Sequence, residues 1–140
     1  MTTSYAGDLS PKDTWQRLAE DPRAVLIDVR TKPEWSYVGV PDLGELGKEA
    51  IKLEWQIYPE GTVNAGFAEA VAQAGIGKDQ PVLLLCRSGV RSKAAAELLT
   101  GAGWQSCFNI LGGFEGPHDA TRHRGTVAGW KHDGLPWTQG

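Results

Sequence analysis

Cys86 closes the apolar run "PVLLLC" and is followed at once by Arg87, Ser88, Gly89, Val90 and Arg91. A cysteine at the end of an apolar run is ordinarily a small core residue. Two arginines and a glycine within five residues of it, leading straight into a helical pattern, point elsewhere. A tight turn from strand to helix leaves backbone N–H groups free to converge on one point. The helix start adds about half a positive charge. Gly89 permits backbone conformations that a side chain forbids. A free thiol has a pKa of ~8.5, and helix starts with nearby cations lower it to ~3.5–7.5. The segment reads as an anion cradle with a thiolate nucleophile at its floor.

Spacing separates two cradle chemistries. Tyrosine-phosphatase-type enzymes place an arginine after five intervening residues. Here that position is Ser92, and Arg91 comes one residue early. The shorter loop makes a smaller ring of N–H groups, suited to one extra sulfur on the cysteine rather than to a phosphate ester. Sulfur transfer is favoured over phosphate or arsenate chemistry. Cys107, inside "SCFNIL" without a cationic flank, reads as a core residue. Behind the loop, Asp28 is a candidate to hold it by hydrogen bonds and Arg30 to pair with Glu34; an exposed ion pair worth ~0–1 kcal/mol is the open alternative. Trp35 is read either as a pocket wall or as core. His118, His123 and His132 fit no common metal spacing and read as surface residues.

These residues need a frame to position them. The chain has 140 residues, 41% hydrophobic and 22% charged, which suits one domain over residues 1–140 with its core at about 9–137. A formal charge of −3 gives no reason to expect nucleic acid or a membrane surface as partner. The start, "MTTSYAGDLSPKD", has neither a cationic region nor an apolar one, so no secretory signal is expected. Two cysteines fit a reducing compartment, and a cytoplasmic location is expected.

"LSPKDTWQRLAED" starts a helix, with Ser10 as cap and Pro11 in the first turn. "AVLIDV", "PVLLLC" and "SCFNIL" are short apolar runs, each a strand buried on both faces. "AIKLEW" alternates and reads as another strand. "KPEWSYVG", "AGFAEAVAQAG" and "VRSKAAAELLTGAG" read as helices. The C-terminal stretch from Phe114 reads as one short helix, a loop and a tail that packs back, anchored by Trp137. Alternating strands and helices imply an α/β fold with a mainly parallel sheet covered by helices on both faces. Ligand sites in such sheets lie beyond the carboxyl ends of the strands, where Asp28 and Cys86 fall.

The catalytic segment "VLLLCRSGVRSKAAAELLTGAGW" closely resembles that of the rhodanese family of single-domain sulfurtransferases. "LIDVRTKPEW", "NILGGFEG" and "GLPW" resemble the family's other motifs, and the similarity spans roughly Leu9 to Trp137. The resemblance implies a single rhodanese-like domain with a five-stranded, mainly parallel sheet. It implies a Cys86 persulfide during turnover, with Arg87, Ser88, Gly89, Val90 and Arg91 wrapped around the sulfur. Where the family often has Gly-His-Ile-Pro-Gly, this chain has "GVPD", and its segment from Asp42 to Val63 is long; both bear on the acceptor.

The expected activity is that of a thiosulfate sulfurtransferase. The thiolate takes the outer sulfur of a small anionic donor such as thiosulfate, and passes it to cyanide or to a thiol, either a small molecule or a thioredoxin-like protein. Arg87 and Arg91 are expected to attract the donor, and Arg87 in place of a small residue favours thiosulfate over mercaptopyruvate. No cofactor and no metal are expected. The other reading is a sulfur-relay module that a partner protein loads and that turns over thiosulfate poorly.

Overall fold

The structure, a computed structural model, describes residues 5–57, 62–117, 119–124 and 128–139. In chain order its elements are β1 (Gly7–Leu9), α1 (Pro11–Glu20), β2 (Val25–Asp28), α2 (Lys32–Tyr37), β3 (Val40–Pro41), a 3-10 turn (Gly44–Leu46), β4 (Ile51–Lys52), β5 (Gln56–Ile57), β6 (Thr62–Val63), α3 (Phe67–Gln73), β7 (Val82–Leu85), α4 (Val90–Gly101), β8 (Cys107–Ile110) and β9 (Trp137–Thr138).

The apolar runs become the centre of the sheet. All four residues of β7 are fully buried, as are Leu26, Ile27 and Asp28 of β2. Burying each such aliphatic side chain contributes about 1.5–3 kcal/mol. The main sheet has five strands in the order β1-β8-β7-β2-β4, and every neighbouring pair is parallel. Successive strand residues point to opposite faces. Leu83 and Leu85 pack with Leu18 of α1, Phe114 and Trp130 on one side. Val82, Leu84 and Cys86 pack on the other, against Phe67 and Val71 of α3 and Ala95, Ala96 and Leu99 of α4.

Register sets the site. Asp28 stands opposite Leu85, and the Val29 N–H donates to the Leu85 carbonyl at 2.8 Å. The carboxyl ends of β2 and β7 are therefore level, and Asp28 and Cys86 are neighbours across adjacent strands. Cys107 of β8 lies opposite Val82, at the far end of β7 from Cys86.

Local signals at the helix starts hold. The Asp13 N–H donates to Ser10 Oγ at 3.1 Å, capping α1. Three elements differ from the sequence expectation. β1 has no apolar run to announce it, since its three residues are Gly, Asp and Leu. The run "AIKLEW" leaves the ladder after Lys52. There the Leu53 and Trp55 N–H groups bond to the Asp28 and Val29 carbonyls, where β2 is already turning toward α2. Among the described residues no helix follows Phe114. Instead Asp119 gathers the N–H groups of Thr121 and His123 on its carboxylate, a turn that competes with helix. His118 lies outside the described residues, and His123 and His132 are partnered locally with Thr121 and Asp133.

The tail does pack back. β9 pairs antiparallel with β3, and Trp137 meets Phe114 edge-on at 6.1 Å. Among the described residues no helix is long and apolar enough to cross a membrane.

Candidate active site

Cys86 is the last residue before the chain turns from β7 into α4. Its Sγ accepts a hydrogen bond from the Gly89 N–H at 3.0 Å and lies 3.2 Å from the Ser92 hydroxyl. Gly89, immediately before α4, has φ +110°, which favours glycine. The segment Arg87–Arg91 thus curls back so that an amide at the helix start reaches the sulfur.

The loop is held from outside by the "GGF" turn after β8. The Phe114 N–H donates to the Cys86 carbonyl at 2.8 Å, and the Glu115 and Gly116 N–H groups donate to the Arg87 carbonyl at 3.0 and 3.1 Å. With its carbonyls tied outward, the loop can turn its amides inward. Gly113 makes this clamp possible. Its φ is +61°, and a Cβ there would stand 2.6 Å from the Arg87 carbonyl carbon.

Asp28 and Arg30 do not form an exposed pair, and Arg30 does not pair with Glu34. The Arg30 guanidinium donates to Asp28 Oδ1 at 2.9 Å and Oδ2 at 2.7 Å, and to the Gly39 carbonyl at 2.6 Å. Both side chains are 0% exposed. Arg30 also lies over the Phe114 ring, 4.3 Å from its centroid. The pair therefore reaches the loop through Phe114, whose N–H holds the Cys86 carbonyl. Asp28 spends its carboxylate on Arg30 rather than on the loop.

Glu34 pairs instead with Arg91, through two parallel bonds of 2.8 and 3.0 Å. Burial pushes the Glu34 carboxyl up, but the bonds and charge of Arg91 and the bonds from Thr31 outweigh it and hold it below its ordinary value. Burial pulls the Arg91 guanidinium down, while Glu34, with smaller help from Cys86 and Asp28, raises it. Arg91 is neutralised by Glu34, and Arg87 is left as the exposed guanidinium of the loop.

Trp35 is half-buried and lines a cleft of about 530 Å³ with Lys32, Ser36, Val40, Lys52 and Thr138, which includes no residue of the Cys86 loop. The segment after Asp42 walls a cleft of about 630 Å³ that likewise includes none of them. Cys86 itself is 1% exposed, so the sulfur sits at a closed floor rather than at an open mouth. Cys107 is also buried, and burial pushes its thiol up to about 11.

Three residues at the site escaped the sequence reading. Ser92 served there only to measure spacing, yet its hydroxyl touches the sulfur. Asn109 hydrogen-bonds Ser92 at 2.6 Å, and its signal was a polar residue inside an apolar strand. Asp8 accepts from Asn109 at 3.1 Å, and nothing local marks it. Among the described residues no three His, Cys, Asp or Glu side chains cluster to hold a metal.

Known proteins resemble this chain in sequence and fold. The family described as STR4 middle domain matches residues 6–140. The uncharacterized protein RC0915 of Rickettsia conorii is 36% identical over 124 residues, 88% of this chain and 89% of that one. The crystal structure of Rv0390 from M. tuberculosis superposes with a TM-score of 0.88 at 50% identity, covering 98% of this chain and 100% of that one. The thiosulfate sulfurtransferase GlpE of Actinobacillus succinogenes is 26% identical over 129 residues, 92% of this chain and 87% of that one. With its parallel five-stranded sheet and its loop between β7 and α4, the chain belongs to the STR4 middle-domain family and is a single rhodanese-like domain.

Proposed function

We propose that this protein is a sulfurtransferase that carries sulfane sulfur as a persulfide on Cys86. The observation that carries the reading is the Gly89 N–H aimed at Cys86 Sγ from the start of α4, with Arg87 and Arg91 on the same turn. The similarity to a thiosulfate sulfurtransferase supports the reaction class.

In the first step the Cys86 thiolate attacks the outer sulfur of a donor such as thiosulfate. A Cys86 S–S bond forms, the donor's S–S bond breaks, and sulfite leaves with the electron pair. In the second, an acceptor thiolate or cyanide attacks the terminal sulfur and Cys86 leaves as thiolate. This is covalent catalysis in two halves, with ping-pong kinetics. The Gly89 N–H and the helix start stabilise charge on sulfur in both halves. Arg87, the exposed guanidinium of the loop, draws the anionic donor to it. The acceptor is a small thiol or a thioredoxin-like protein, and the setting is the cytoplasm, where Cys86 stays reduced.

A relay reading is favoured by one pair of facts: Cys86 is 1% exposed and Arg91 is already neutralised by Glu34. A site so closed captures a small dianion weakly and takes sulfur from a docked partner instead.

Intact-mass measurement after thiosulfate treatment tests the proposal. The native protein and Cys107→Ser gain one sulfur atom, and Cys86→Ser gains none. Gain of sulfur by Cys86→Ser removes the assignment. No gain with thiosulfate, but gain from a persulfide-bearing desulfurase, selects the relay.

A further inference from the structure

Behind Cys86, one chain of hydrogen bonds joins α4, β8 and β1. Ser92 Oγ lies 3.2 Å from Cys86 Sγ and 2.6 Å from Asn109 Oδ1. Asn109 Nδ2 donates to Asp8 Oδ1 at 3.1 Å, and the Tyr5 hydroxyl donates to the same oxygen at 2.7 Å. Ser92 is fully buried and Asn109 is 4% exposed.

Donor counting fixes the direction of this chain. An ionised carboxylate only accepts, so the Asn109 group facing Asp8 is its NH2. The Asn109 carbonyl oxygen then faces Ser92, and a carbonyl only accepts. The single Ser92 proton is therefore committed to Asn109. What Ser92 presents to Cys86 is a lone pair, which receives a thiol proton and repels a thiolate. Together with the Gly89 N–H, the sulfur has one donor and one acceptor beside it, the complement of a neutral thiol.

We propose that Asn109, anchored by Asp8, is a positioning residue that turns the Ser92 hydroxyl away from Cys86 and keeps the sulfur protonated at rest. Turning that hydroxyl onto the sulfur, as the thiol proton leaves to water, is the step that frees the nucleophile. The inference rests on Cys86 being the nucleophile, and it replaces the standing thiolate expected from the sequence with one released on demand. The other charges around the sulfur are Arg87 beside it in the chain, Arg91 with its partner Glu34, and Asp28 with Arg30 at the end of β2. None of these touches the Ser92 hydroxyl, so a shift that runs through Ser92 isolates the chain.

Thiolate absorbance at 240 nm, titrated as the difference between each protein and its own Cys86→Ser counterpart, reads the ionisation directly and needs no reagent to reach the sulfur. Asn109→Leu frees the Ser92 hydroxyl without changing charge. It lowers the titration midpoint by about one pH unit, the scale of one hydrogen bond to a charged form. In a Ser92→Ala background the same change leaves the midpoint where it was. An unmoved midpoint in Asn109→Leu, or a shift that survives in Ser92→Ala, overturns the proposal. Should Asn109→Leu not fold, exposed Asp8 supplies the variant: Asp8→Ala lowers the midpoint more with the Ser92 hydroxyl than without it, and equal shifts overturn the proposal. Failure of both thiosulfate and a persulfide-bearing desulfurase to load sulfur on Cys86 refutes the functional reading and leaves this titration standing. A flat titration in a protein that loads sulfur refutes the positioning role alone.

Discussion

Glu34 governs the charge at the loop, because it decides whether Arg91 is available. Glu34→Gln frees that guanidinium, which offers planar, forked donors to an anion. Steady-state assays should show the KM for thiosulfate falling several-fold; an unchanged or higher KM would mean that Arg91 never faces the donor. The same pair sets an acid dependence. The folded carboxyl lies below its ordinary value of 4.5, so the pair's stabilisation is fully present above about pH 4.5. It is lost as pH falls through the folded value. Melting curves of the native protein and Glu34→Gln should therefore differ at pH 7 and converge as acid protonates Glu34. The residue-level reading of the sequence could propose Cys86 and its loop because they are contiguous. It gave Glu34 to Arg30 because partners 57 positions apart, as Glu34 and Arg91 are, leave no local spacing to read.

At the scale of elements, the loop's shape is imposed by its neighbours, chiefly the turn after β8 and the end of β2. Gly113→Ala puts a side chain at φ +61° and into the Arg87 carbonyl. Left-handed strain alone costs about 1–3 kcal/mol, and the clash adds to it. Urea unfolding should show at least that loss, and sulfur loading of Cys86 should fall with it as the carbonyl clamp slips. The buried Asp28–Arg30 pair makes a different prediction. Removing one partner strands the other charge at ~3–5 kcal/mol, whereas apolar replacement of both is close to neutral. Asp28→Leu with Arg30→Met should thus be more stable in urea than either single change. A double variant weaker than both would show that Arg30 acts mainly through Phe114 and Gly39. β2, β7 and β8 were legible because continuous apolar runs of that length have few other uses. β1 was not, because a three-residue edge strand takes its identity from the Cys107 and Asn109 backbone beside it. The described C-terminal residues form turns where the sequence suggested a short helix, because their order comes from Asp119 and from contacts with Phe114, not from a repeating pattern.

For the molecule as a whole, the chain's end acts as a strap across the site's supports. β9 pairs with β3, the Asp42 N–H and Trp130 Nε1 both donate to the Pro136 carbonyl at 3.0 and 2.7 Å, and Lys131 lies 3.9 Å from the Trp137 ring centroid. At a net ~1 kcal/mol per hydrogen bond, ending the chain at Leu135 should cost ~2–3 kcal/mol. That corresponds to roughly 10 °C in Tm, read by calorimetry; a drop below ~2 °C would leave the strap no role in stability. Chain topology also separates the two cysteine sulfurs. Cys107 sits opposite Val82, four residues behind Cys86 along β7, which is roughly 13 Å at strand rise. A disulfide needs Cα atoms within ~7 Å. Under the sulfurtransferase proposal, a persulfide on Cys86 would therefore find no second cysteine of its own chain within reach, neither to unload onto nor to lock against, and its sulfur would leave only with a visiting acceptor.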